Sequence, residues 1–117
     1  MEADEQRAVF EWAAYMTGKY PCLRWMHHIP NGGSRNKIEA ARLKAQGVKR
    51  GVPDIFLPYP SGKYHGLYIE MKYGKGKVSP EQQEFLDYAA GAGYKTAVCY
   101  NMLQAVKVIL RYLEEER

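Results

Sequence analysis

Gly51-Val52-Pro53-Asp54-Ile55-Phe56-Leu57, answered further on by Leu67-Tyr68-Ile69-Glu70-Met71-Lys72, is the stretch on which the reading of this chain turns. Each segment is a short apolar run of strand character. In the second, Leu67, Ile69 and Met71 alternate with Tyr68, Glu70 and Lys72, and a period of two puts Glu70 and Lys72 on one face. Asp54 follows a proline, which suits the mouth of a neighbouring strand. Tyr59-Pro60-Ser61-Gly62-Lys63 between the runs is rich in turn formers, so the two strands are expected to form a hairpin. Two carboxylates and a lysine converging at a strand end would bind a hard divalent cation and handle a water molecule, the chemistry of metal-dependent phosphodiester hydrolysis. An acid-x-lysine pair is also what a solvated strand face carries. The Pro-Asp at the start of the first strand favours the site.

Working outward, Ser79-Pro80-Glu81-Gln82 opens a helix: Ser79 is the N-cap, Pro80 suits the first turn and Gln82 completes a capping box. Phe85, Leu86 and Ala89 are expected to face the core, and Gly91 or Gly93 to end the helix. Tyr94 to Tyr100 reads as a further strand. Asn101 caps a last helix whose buried stripe is Val106, Ile109, Leu110 and Leu113, and whose final Glu114-Glu115-Glu116 opposes the helix dipole and is expected to fray.

Upstream, residues 2 to 17 read as a helix with Val9, Trp12, Ala13 and Met16 as its apolar stripe, stopped by Gly18. Leu23 to Ile29 reads as a strand, with His27 and His28 near its end in a sheet-face or substrate-contact role. Asn31-Gly32-Gly33-Ser34 is a loop that either approaches phosphate beside Arg35 or simply connects; without a following Gly-Lys-Ser/Thr it is no P-loop. Residues 36 to 46 read as a short helix with Ile38, Ala41 and Leu43 or Ala45 on its apolar side. Gly51 gives the backbone a conformation that a side chain would forbid. The resulting order fits an α/β fold with a central mixed four-stranded sheet flanked by helices, one domain over residues 1–117.

The ordered set Pro30-Asn31-Gly32-Gly33, Ala41 through Val48, Gly51-Val52-Pro53-Asp54, Glu70-x-Lys72 and Ser79-Pro80-Glu81-Gln82 resembles the virus-type replication-repair nuclease (VRR-NUC) domain of the PD-(D/E)xK nuclease superfamily. The resemblance spans nearly the whole chain and implies a restriction-endonuclease-like core. It implies an endonuclease for branched DNA such as Holliday junctions or flaps, in phage replication or repair. Asp54, Glu70 and the Met71 carbonyl would then hold Mg²⁺ or Mn²⁺, with Lys72 serving the attacking water or the developing charge. Some superfamily members carry a glutamate where Gln6 falls, so ligation from the first helix rests on Glu2 or Glu5 or is absent. All three are equally readable as exposed first-turn residues. Gln82 would line the site as well as cap its helix.

The 117 residues carry 17 Lys and Arg against 13 Asp and Glu, a net charge of +4. The excess gathers around the suspected site: Arg35, Lys37, Arg42, Lys44, Lys49 and Arg50 before it, Lys75 and Lys77 after it, as a DNA-binding surface requires. A solvated loop and helix face is the alternative. No apolar run approaches a membrane span, so no membrane partner and a cytoplasmic location are expected. Cys22 and Cys99 have no ligand spacing, and a disulfide is not expected. For a homodimer the candidates are apolar residues of the first or last helix, such as Phe10, Trp12 or Tyr112, which are equally readable as core residues. The rival classes are an inert nucleic-acid-binding module, against which Asp54, Glu70 and Lys72 stand, and an RNA-directed nuclease.

Overall fold

A computed structural model describes residues 2–30 and 36–114. The elements are α1 (Glu2–Tyr15), two 3-10 turns (Met16–Gly18 and Pro21–Trp25), β1 (His27–His28), α2 (Lys37–Ala45), β2 (Ile55–Leu57), β3 (Leu67–Met71), α3 (Pro80–Gly91), β4 (Lys95–Cys99) and α4 (Met102–Glu114). The sheet runs β1-β2-β3-β4. β1, β2 and β3 are antiparallel neighbours, with Ile55 opposite Ile69, and β3 and β4 are parallel, as a crossover through α3 demands. This is the expected mixed α/β sheet.

The period-two reading of β2 and β3 holds. Ile55, Leu57, Leu67, Ile69 and Met71 form one buried face, which meets Val9 and Ala13 of α1 and Ala105, Ile109, Tyr112 and Leu113 of α4. Burial of these side chains, at roughly 1.5–3 kcal/mol each, drives the assembly. α3 covers the other face, where Phe85 packs edge-on against Tyr68 with ring centroids 5.2 Å apart. The α3 capping box forms as read, Ser79 accepting from the Gln82 N–H and Gln82 from the Ser79 N–H. Gly51 has φ +89°, and a Cβ there would stand 2.6 Å from the Glu81 carbonyl oxygen in the first turn of α3. That glycine lets the chain pass directly under α3 on its way to Asp54.

Several expectations fail. Leu23–Ile29 is not one strand. Pro21 starts a 3-10 turn, and Tyr20, Leu23 and Met26 are buried at every third position, the period of that helix and not of a strand. Only His27 and His28 remain as β1. α1 ends at Tyr15, and Met16 begins a 3-10 turn. α2 fully buries no residue: Ile38 is 81% exposed, and of its expected apolar side only Leu43 is half-buried. Tyr112 is buried at 1% exposure and donates its hydroxyl to the Tyr59 carbonyl at 2.6 Å, so it offers nothing to a second copy. Phe10 also packs against the core, and Trp12 does so as its place in the α1 stripe implies. Glu114 stays in α4 and accepts a hydrogen bond from the Tyr20 hydroxyl, so fraying does not begin there. The Asn31–Arg35 loop, Glu115 and Glu116 lie outside the described residues. Cys22 and Cys99 are free thiols, and burial pushes the Cys99 thiol up to about 11. Among the described residues no helix is long and apolar enough to cross a membrane.

Candidate active site

Asp54 sits where β2 begins, and three groups fix it. Its backbone carbonyl accepts the Ile29 N–H at 2.8 Å and stands 2.8 Å from His28 Nδ1. Its side-chain Oδ2 accepts the Met71 N–H at 2.8 Å. The carboxylate is thus laid across the sheet onto β3, beside the acid-x-lysine pair.

Glu70 is 2% exposed. Its Oε2 accepts from Gln82 Nε2 at 3.1 Å and lies 3.5 Å from Lys72 Nζ. Its Oε1 is buried with no hydrogen-bond partner among the described residues. Burial, and then the charge of Asp54, push the Glu70 carboxyl up to about 7, against the pull of Lys72. One lysine does not balance two carboxylates held this close. The unsatisfied oxygen, the second carboxylate and nearby backbone make an all-oxygen donor set suited to a hard divalent cation. No three His, Cys, Asp or Glu side chains close on a common point among the described residues, so backbone, water or substrate oxygens would complete the shell.

The groups open onto a cleft of about 490 Å³ that Gln6 and His28 line together with Asp54, Glu70, Met71 and Lys72. Gln6 therefore reaches the cleft from α1. Glu5 does not: its Oε1 accepts the Met102 N–H at 2.6 Å and caps α4. Glu2 is the first residue of α1, and its side chain lies outside the described residues. Gln82 both caps α3 and binds Glu70. Of the basic residues, Lys37, Arg42, Lys44, Lys49, Arg50, Lys75 and Lys77 are all exposed, and none lines the cleft. Arg35 lies outside the described residues.

His28 acquires a definite place that its sequence position does not reveal. A carbonyl only accepts, so Nδ1 must carry the proton that it shares with Asp54, which leaves Nε2 as an acceptor when the ring is neutral. The signal is a pairing between residues 26 apart in the chain, visible only once β1 is laid against β2.

The VRR-NUC domain family matches residues 2–102 of this chain. A solved structure described as a VRR_NUC domain protein superposes with a TM-score of 0.82 at 32% identity, covering 97% of this chain and 88% of that one. No curated protein matches the sequence.

Proposed function

The chain belongs to the VRR-NUC domain family of nucleases, and from that premise we propose that it is a metal-dependent endonuclease hydrolysing phosphodiester bonds of branched DNA. The observation that carries the metal is the buried Glu70 Oε1, unpartnered beside Asp54. Asp54, Glu70 and the Met71 carbonyl would hold Mg²⁺ or Mn²⁺. The ion would polarise a phosphate oxygen and lower the pKa of a bound water. Lys72, close to Glu70 and open to the cleft, would orient or deprotonate the attacking water or stabilise charge on the pentavalent phosphorus. Gln82 holds Glu70 in place through Oε2. Gln6 lines the cleft from α1, where its amide is a hydrogen-bonding group for water or phosphate. The exposed lysines and arginines before and after the site would bind the backbone of the duplex arms.

Resolving a four-way junction takes two cuts, and a two-fold homodimer would supply two equivalent sites. The experiment is cleavage of labelled linear, flapped and four-way DNA, with an RNA control, in Mg²⁺, Mn²⁺ or EDTA. Asp54→Asn and Lys72→Ala should remove most turnover and leave the circular dichroism unchanged. Undiminished cleavage in EDTA, or by a folded Asp54→Asn protein, would refute the assignment.

A further inference from the structure

Trp25 is 62% exposed, although Leu23 before it and Met26 after it are buried. Leu23 and Met26, at 3% and 6%, anchor the 3-10 turn to the core, so the indole is not needed there. The chain's other tryptophan, Trp12, packs against the core. The Arg24 guanidinium lies 4.9 Å from the centroid of the Trp25 ring. Such stacking leaves the guanidinium edge free to donate to an oxyanion. Beyond Trp25, Met26 is extended (φ −64°, ψ 134°) and leads straight into β1, whose second residue, His28, lines the active-site cleft. Three extended residues span about 10 Å, roughly three nucleotides at a stacked spacing of about 3.4 Å.

We propose that Trp25 and Arg24 form a stacking platform for an unpaired base of the DNA strand that enters the cleft, Trp25 taking the base and Arg24 its phosphate. The proposal rests on the nuclease reading above and narrows its substrate to DNA with unpaired nucleotides next to the scissile bond. An aromatic plane beside a cation is the pair that single-strand binders use. A paired base inside a duplex keeps both faces against its neighbours, so a duplex offers the indole at most its terminal pair, and the blunt control is closed by hairpin loops that bury those end faces. A protein partner would be expected to seat such a tryptophan within an apolar patch; here Arg24 and His27 are its exposed neighbours.

Trp12→Phe leaves Trp25 as the sole tryptophan, a direct reporter. Its emission is measured in EDTA, and again in Ca²⁺, against a short oligothymidylate, a flapped duplex and a blunt duplex. Quenching by the first two and not by the third is expected. In anisotropy titrations Trp25→Ala should weaken flap binding about tenfold, within the range for one stacked base. It should change blunt-duplex binding less than about twofold, and Trp25→Phe should recover part of the loss. Unquenched emission with every DNA overturns the platform. So does emission that shifts with protein concentration alone, because the indole would then be covered by a second copy. If flap cleavage persists in either case, the nuclease reading stands without the platform. Quenching without cleavage by the wild-type protein would remove the nuclease reading and keep the platform.

Discussion

Replacing Glu70 with glutamine should stabilise the metal-free protein while abolishing its chemistry. The Glu70 carboxyl titrates near 7 instead of its ordinary 4.5, chiefly through burial and then through Asp54. A folded-state pKa raised above the unfolded one contributes stability that is fully present below about 4.5 and is lost as pH rises through about 7. The whole shift corresponds to about 3.5 kcal/mol at roughly 1.4 kcal/mol per pH unit. The open cleft and Lys72 screen part of it, so about 1–2 kcal/mol of ionisation cost is expected near pH 8. In Glu70→Gln the amide keeps an oxygen for Gln82 and Lys72 and gains an N–H for Asp54, which removes that cost. Its thermal midpoint in EDTA should exceed that of wild type by about 3–10 °C near pH 8, with little or no excess near pH 5. A divalent cation selects the ionised carboxylate, so saturating Mn²⁺ should raise the wild-type midpoint, more near pH 8 than near pH 5, and barely move the variant. Thermal denaturation followed by circular dichroism at both pH values reads all of this. A variant less stable than wild type near pH 8, by the same margin as near pH 5, would refute the account of Glu70 as a carboxylate held for a cation.

His28→Asn can place an amide N–H where Nδ1 donates to Asp54, whereas His28→Gln reaches only toward Nε2; the asparagine form should cleave within about twofold of wild type and the glutamine form should lose about 1 kcal/mol of stability and most of its rate. The opposite ranking, in cleavage assays and melts, would move the role of His28 to Nε2. Neutralising Lys49 and Arg50 together should lower the slope of log affinity against log salt by about 1.8, from roughly 0.9 per lost phosphate contact, and an unchanged slope would exclude both contacts. Gly51→Ala should cost about 2–4 kcal/mol in urea titrations, because it meets both a positive φ and the Glu81 carbonyl.

What could be read in the chain is what is local. The hairpin of β2 and β3 declares itself through alternation and turn residues, and α3 through Ser79, Pro80 and Gln82. The α4 stripe follows from spacing, because these rules act within a few residues of each other. The failures share the opposite property. Leu23–Ile29 is as aromatic and apolar as a strand, and only the burial of every third side chain, set by α1 and the sheet, shows the turn that Pro21 begins. α2 has residues that would make an apolar side, yet only Leu43 of them is half-buried, because how far a stripe is buried depends on what packs against it. Glu5 is a first-turn acid by sequence and in space joins Asn101 in capping α4, a contact across 97 residues. Tyr112 by spacing alone suits a surface or a core, and the Tyr59 carbonyl that takes its hydroxyl, 53 residues away, decides for the core.

The site divides along the same line. Glu70-x-Lys72 is legible because both residues share one strand face, while the unpartnered Oε1 is not, since it results from α3 closing over β3. Gln82 shows how the two levels lock together. Its Oε1 accepts the Ser79 N–H at 2.8 Å, which fixes the amide orientation and turns Nε2, the donor end of the amide, to Glu70. A capping box accepts glutamate as readily as glutamine, so the local rule does not distinguish them. The electrostatics do: glutamate at this position would satisfy the cap and bring a third carboxylate against Glu70, whose proton affinity Asp54 already raises. The helix start therefore explains only the oxygen end of the Gln82 side chain, and the nitrogen end belongs to the carboxylate pair through Glu70.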